Sequence, residues 1–367
     1  MKVLRAKTLD LKDGVTPLTE ARAKNAALNS REAQAGALEP MSWPRRLVFE
    51  MTNACNLSCL ACARNARDFN PTLFDPAWRD FFQPVLHLAE EVTLMGWGEP
   101  TLHPDFTGFL AWAKNNGLRK YFCTNGLKLN ELFKTIFETE TDIIAVSLDG
   151  ATAATNDRLR RGADFTKVVG SLKKLTTEKR RRNLSWPWIN FVFTAMNSNL
   201  DEFPALVDLA AELGLEEVKL VYFTAFEKAM LPESLYGQAS RIRDVFALAE
   251  ERARVTNVAL KLPHLPGEDP AGNQPHKDCW AAWRDFFLGS DGYIRPCMST
   301  ARKFAHIREM KDIRSAWLAP FLIEQRRMVN APGTAPGCGN CYQSSFANWN
   351  RREAFIQLEH DFAPEWQ

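Results

Sequence analysis

The chain alternates between two hydrophobic periods. Short β-branched and aromatic runs stand at residues 46–51, 92–96, 119–125, 142–150, 186–196 and 216–224. Helix-like segments lie between them at 76–90, 104–116, 129–138, 164–179 and 201–213, and a longer one follows at about 234–255. Some helix ends are readable: Asp201 precedes "EFPALVDLAAEL" and Gly214 stops it. Strands that alternate with helices of this length build βαβ units, hence a parallel sheet with helices outside. Six such units form a partial or open barrel. The predicted fold class is therefore α/β, a partial (β/α)6 TIM-like barrel, with no repeat of the solenoid kind.

Composition narrows the function classes. At 367 residues the chain suits one large domain plus an addition, and 46% apolar with 25% charged residues is ordinary for a globular protein with a real core. A formal charge of +2 gives no bulk drive toward nucleic acid. No run of eighteen apolar residues predicts a membrane span. The N-terminus has no apolar segment after its charges, so a cytoplasmic location is expected. In that setting the eight cysteines read as metal ligands or reactive thiols rather than disulfides.

In parallel β/α barrels the chemistry gathers on the loops after the strands. After the first strand comes "EMTNACNLSCLACARN", residues 50–65, with Cys55, Cys59 and Cys62. Three thiols cannot all pair, and they are one ligand short of a closed tetrahedral site. After the second strand comes "GWGEP" (96–100), after the third "TNG" (124–126), and the fourth ends in "SLDG" (147–150). Each alone reads as a turn. Their order, one β/α unit apart, is what carries weight.

This ordered set resembles the radical S-adenosylmethionine (SAM) superfamily. The resemblance covers residues 45–262 and rests on the CxxxCxxC spacing of Cys55, Cys59 and Cys62. It implies that these thiolates hold three irons of a 4Fe–4S cluster, with SAM chelating the fourth through its amino and carboxylate groups. It further implies that Gly96, Trp97, Gly98 and Glu99 lie at the SAM amino group, with Asn125, Ser147 and Asp149 also lining the cofactor site and the last two facing the ribose. Family members often carry an aromatic residue before the third cysteine; here it is Ala61, so Tyr222, Phe223 or backbone contacts would cover the adenine.

The last third adds a second cysteine set. Cys279, Cys297 and the "CGNC" pair Cys338 and Cys341 supply four thiolates. Asp291-Gly292 reads as a tight hairpin turn that brings the first two near each other. Four thiolates close a site, either as an iron–sulfur cluster or as zinc. The spacing resembles the twitch or SPASM-type extension of the superfamily, in the form that keeps one auxiliary 4Fe–4S cluster. The resulting organisation is an N-terminal extension at 1–40, partly helical; the core at 41–262; a β-hairpin and loop cluster-binding extension at 263–345; and a helical tail at 346–367. Residues 1–40 would cap the open side of the barrel or form an arm.

The resemblance implies an oxidoreductase that cleaves SAM reductively to a 5′-deoxyadenosyl radical and abstracts a hydrogen atom from a C–H bond. One reading of the substrate is a sugar or aminocyclitol undergoing two-electron oxidation, with the auxiliary cluster as electron acceptor. The other is a ribosomal peptide that is cross-linked or epimerised. From a different class, a zinc-binding structural or interaction protein stays open. An electron donor of the flavodoxin or ferredoxin type is implied. Cys123 reads as a buried small residue or as a hydrogen donor to a substrate radical, and Lys219 and Glu227 as exposed charges or as a base within reach of the cavity.

Overall fold

The structure, a computed structural model, describes residues 16–329 apart from 63, 65–69, 226–227, 264, 266–278 and 298–301. Cys338, Cys341, Glu227 and the tail at 346–367 thus lie outside the described residues.

Helix α1 (Glu20–Gln34) precedes the sheet. Strand β1 (Arg46–Phe49) leads into the cysteine loop, which holds the two-residue strand β2 (Ser58–Cys59), and then to β3 (Glu91–Leu94). Next come α2 (Phe106–Asn115), β4 (Arg119–Thr124), α3 (Phe133–Glu138), β5 (Ile143–Ser147), α4 (Ala153–Leu159) and β6 (Arg160–Arg161). They are followed by α5 (Phe165–Arg181), β7 (Trp188–Ala195), α6 (Phe203–Leu213), β8 (Glu217–Tyr222), α7 (Ala239–Thr256) and β9 (Ala259–Lys261). The last described elements are α8 (Ala281–Arg284), β10 (Asp285–Leu288), β11 (Ile294–Arg295), α9 (Ile313–Trp317) and α10 (Pro320–Met328).

All six expected strands are present. They lie in one nine-stranded sheet of order β11-β10-β1-β3-β4-β5-β7-β8-β9, parallel except for the β10–β11 hairpin. No hydrogen bonding joins β9 to β10 among the described residues, so the barrel is open there. The hairpin forms as the Asp291-Gly292 turn predicts, with Gly292 at φ +78°. It extends the core sheet, since β10 pairs along all of β1.

One helix differs from expectation. Residues 76–90 form 3-10 turns over Pro76–Val85, because Pro84 lacks the N–H that an α-helix needs. The late start of α7 follows Gly237, which takes φ +84°.

Alternation assigns the two faces of the sheet. Leu47, Phe49, Val92, Leu94, Phe122, Ile144, Phe191, Phe193, Val218 and Leu220 point outward into the helix layer, buried in one apolar core. The opposite parity points into the half-barrel: Arg46, Glu91, Thr93, Tyr121, Cys123, Ser147, Val192, Glu217, Lys219, Lys261 and Asp285. The interior is thus polar at its base. Asp285 takes two bonds from Arg46 and two from Arg284, and Lys261 pairs with Glu217 at 3.0 Å.

Helix α1 closes the end of the half-barrel opposite the cysteine loop. The buried Arg22 guanidinium donates to the carbonyls of Ala89 (2.7 Å), Leu86 (2.9 Å) and Asn116 (2.7 Å), just ahead of β3 and β4. Beside it Lys120 and Asp142 form a fully buried ion pair, and Thr16 donates its N–H to Asp142.

Candidate active site

The cysteine loop is held on three sides. β2 pairs antiparallel with β6, setting Cys59 opposite Arg160. Asn56 accepts from Asn125 Nδ2 at 2.8 Å, and the Ala54 carbonyl accepts the Glu99 N–H at 2.8 Å. The Leu57 N–H points at Cys55 Sγ (3.4 Å), and the Cys62 N–H donates to the Cys59 carbonyl.

These contacts explain the glycines of "GWGEP". A Cβ on Gly98 would stand 2.3 Å from the carbonyl oxygens of Thr52 and Ala54, so only glycine lets the two loops approach this closely. A Cβ on Gly96 would collide with the Glu50 side chain at 2.4 Å. Glu50 itself accepts the Trp97 N–H at 2.9 Å and both donors of Ser290, so the loop is also tied to the β10–β11 turn.

Glu99 is almost wholly buried, and both of its oxygens are engaged within the protein. Oε1 accepts from the Thr101 N–H (3.2 Å), the Thr101 hydroxyl (2.6 Å) and the Thr124 hydroxyl (2.7 Å); Oε2 accepts the Asn125 N–H (2.7 Å). The carboxylate joins "GWGEP" to "TNG". Burial raises its proton affinity, and the four donors oppose that shift.

Asp149 is likewise engaged. One oxygen accepts from Arg160 at 2.7 Å and the other from the Thr194 N–H at 2.8 Å. Ser147 is half-buried on the inner face, with its hydroxyl 3.6 Å from Cys123 Sγ. Burial pushes the Cys123 thiol up.

Tyr222 is not among the groups gathered at the rim. Its parity sends it outward, where it stacks on Phe246 of α7 at 6.2 Å and 6°. Phe223, one residue on, packs with Leu159, Met196 and Met230 against Leu60 and Ala61 of the cysteine loop. Of the two aromatics offered for the adenine, Phe223 is the one whose cluster packs against that loop's Leu60 and Ala61 among the described apolar contacts. Arg160 is the site residue that sequence reasoning missed. An arginine between a helix and a Gly turn carries no local signal, and its place beside Cys59 arises from a pairing across about a hundred residues.

The three thiols share one neighbourhood. Burial pushes Cys59 to about 11, with Arg160 opposing it and the thiols of Cys62 and Cys55 adding to it. Burial also raises Cys62. Thiols in such surroundings stay protonated at neutral pH unless a bound metal takes the proton's place. Among the described residues no three His, Cys, Asp or Glu side chains are gathered closely enough for a single ion. The donor set fits a cluster: three sulfurs on one loop, an N–H aimed at one of them and a guanidinium beside another.

Comparison with known proteins bears on this loop and the strands around it. Residues 49–210 match the radical SAM superfamily. That stretch of the chain carries a radical SAM domain. Radical SAM relatives include the mycofactocin maturase MftC of Mycobacterium ulcerans, 31% identical over 168 residues, 45% of this chain and 44% of that protein. The tungsten-containing aldehyde ferredoxin oxidoreductase cofactor-modifying protein of Pyrococcus furiosus is 24% identical over 324 residues, 80% of this chain and 86% of that one. The chain spans less than half the length of the first curated relatives it matches. In fold it is similar to Streptococcus suis SuiB bound to the precursor peptide SuiA, at 16% identity and TM-score 0.64, covering 86% of this chain and 76% of that one. Residues 49–210 are thus similar to a superfamily that uses a 4Fe–4S cluster and SAM. No helix among the described residues is long and apolar enough to cross a membrane.

Proposed function

We propose that this radical SAM enzyme abstracts a hydrogen atom from a peptide substrate supplied as a separate chain. The observation that carries the reaction class is the meeting of the three-cysteine loop with "GWGEP" and "TNG" through Glu99 and Asn125 at the C-terminal rim of a parallel half-barrel. The peptide reading is supported by similarity to a maturase and, in fold, to an enzyme solved with its precursor peptide. The sugar or aminocyclitol reading has no comparable support among these relatives.

Cys55, Cys59 and Cys62 would hold the cluster, which when bound supplies the electron that cleaves SAM to methionine and the 5′-deoxyadenosyl radical. The chain's own residues do the rest. Gly98 lets the second loop press on the cysteine loop, and Glu99 fixes that loop against "TNG". The Arg160 guanidinium, fixed by Asp149, is the cation placed to receive a carboxylate beside Cys59. Phe223 with Ala61 offers an apolar wall for a purine. The half-exposed row below the rim, Met95, Cys123, Ser147 and Val192, faces the substrate, with Cys123 as the candidate hydrogen donor.

Cys297 returns on the hairpin alongside the start of β10, and Cys279 stands just before α8. With Cys338 and Cys341 they would close an auxiliary 4Fe–4S cluster, reduced and oxidised in the same cytoplasmic setting in which a flavodoxin or ferredoxin serves as donor.

The test is the variant Cys55→Ala/Cys59→Ala/Cys62→Ala, purified anaerobically. It should lose about half of its iron while an auxiliary cluster of the same size remains. Reductive formation of 5′-deoxyadenosine from SAM should vanish. Retained cleavage in the triple variant would overturn the assignment.

A further inference from the structure

The turn between β10 and β11 reaches back to the loops at the rim from far along the chain. Ser290, in that turn, is almost wholly buried. Its N–H and its hydroxyl both donate to Glu50 Oε2, at 3.2 and 2.9 Å, across 240 residues of sequence. A hydroxyl has one proton, and here it goes to Glu50. The Thr72 hydroxyl, 2.6 Å away, therefore donates to Ser290 Oγ. Ser290 thus stands where two branches of one hydrogen-bond network meet.

The first branch runs to "GWGEP". Glu50, also buried, accepts the Trp97 N–H on its other oxygen at 2.9 Å. The peptide joining Gly96 to Trp97 is trans and planar, so holding its N–H on Glu50 also fixes the Gly96 carbonyl on the opposite side.

The second branch runs to the cysteine loop. The Thr72 carbonyl accepts from the Thr52 hydroxyl at 2.7 Å, and the Thr72 N–H donates to Asn53 Oδ1 at 2.7 Å. Thr52 Oγ1 in turn accepts the Ala54 N–H at 3.0 Å, one residue before Cys55. The turn that grips both branches is itself braced. Arg295 makes two bonds of 2.9 Å to Asp291, and the Ile307 N–H donates to the Gly292 carbonyl at 2.8 Å.

We propose that Ser290 is a positioning residue for SAM: through Glu50 and Thr72 it lets the C-terminal hairpin set the spacing between "GWGEP" and the cysteine loop. This rests on reading those two loops as the SAM site. Ser290 acts through its neighbours and need not touch the cofactor. Its hydroxyl is the shared member of both branches, and in a buried network the loss of a shared member leaves partners on both sides unsatisfied.

The experiment uses the full chain, reconstituted anaerobically with iron and sulfide. Amide hydrogen exchange at Trp97 and Ala54 reads the two branches, because both amides donate within the network. Helix α6, packed on β7 and β8, is the control. Without SAM, Ser290→Ala should speed exchange at both amides about two- to tenfold, the range expected for one lost hydrogen bond, and leave α6 unchanged. Thr72→Val should speed Ala54 and leave Trp97 as it is. SAM affinity, measured by equilibrium binding, should fall in Ser290→Ala by about the same factor as the exchange rises. Unchanged exchange at both amides overturns the proposal. Equal acceleration in α6 also overturns it, since that marks a general loss of stability. So does unaltered SAM affinity with both amides accelerated, since the tie then has no bearing on the site. If Ser290→Ala does not fold, the wild type decides: SAM should slow the Ser290 amide together with that of Trp97, and slowing confined to Trp97 overturns the proposal. Failure of the wild type to bind SAM would count against the reaction proposed above, and the exchange without SAM would still decide whether Ser290 holds the two loops.

Discussion

Replacing Glu99 by alanine separates two roles for the second loop. The carboxylate is buried and accepts four hydrogen bonds, two from backbone N–H groups of Thr101 and Asn125 and two from threonine hydroxyls. The hydroxyls can rotate; Thr124 Oγ also accepts the Gly126 N–H and stays partly satisfied. The backbone groups cannot move without the loops. Each buried donor left without a partner costs about 1–3 kcal/mol, so two cost roughly 2–6 kcal/mol. Relief of the buried charge, whose proton affinity is raised by burial, offsets part of this. We expect a net loss of about 3 kcal/mol, or about 4 °C in Tm for a chain of this length. The assay is urea unfolding of Glu99→Ala beside Thr101→Val and Thr124→Val, with SAM affinity measured in parallel. The threonine variants should each lose less, about 1 kcal/mol, and should be non-additive with Glu99→Ala because they share its oxygens. SAM affinity should fall together with stability, since the carboxylate acts by placing the loop. The opposite pattern, stability unchanged within about 0.5 kcal/mol and affinity reduced tenfold or more, would show that the carboxylate binds SAM directly and that the internal bonds are incidental.

Gly98→Ala should be more damaging than an ordinary surface change, because its Cβ meets two backbone carbonyls at 2.3 Å that cannot swing aside; iron retained after anaerobic reconstitution is the readout, and full occupancy would contradict the close approach. Burial alone would raise Asp285, but Arg284 and Arg46 together outweigh it and bring it down to about 2. A depressed carboxyl stabilises the fold above its unfolded value near 4 and loses that contribution as pH falls toward 2, so about 2 kcal/mol should disappear over that window in urea titrations of wild type relative to Asp285→Asn. A constant difference across the window would mean that the shared arginine pair does not hold the carboxylate down. Cys338→Ala/Cys341→Ala should still form 5′-deoxyadenosine but yield no oxidised product if the second cysteine set accepts an electron. Normal product from that variant would dismiss the acceptor role.

Much of this architecture is local and therefore readable in the chain. Each of the six expected strands is a run of apolar or β-branched residues bounded by turn formers, and each was found within a few residues of its expected place. Asp291-Gly292 makes its hairpin because only a few turn types join two short strands. The cysteine spacing needs no tertiary context, since three thiols within eight positions are close whatever the fold.

Side-chain direction and long-range pairing belong to the tertiary structure. A two-residue period says that Tyr222 and Val221 point oppositely, but the sheet's partners decide which of them faces α7. The alliance of Glu99 with Thr124 and Asn125, of Arg160 with Cys59 and of Glu50 with Ser290 joins segments from 25 to 240 residues apart. None of these carries a sequence signal, because a charged residue near a strand end looks the same whether solvent or a buried donor receives it. The polar interior arises the same way: Arg46, Cys123, Lys219 and Lys261 sit on the inner face of four strands, and no local pattern says that those strands share one sheet.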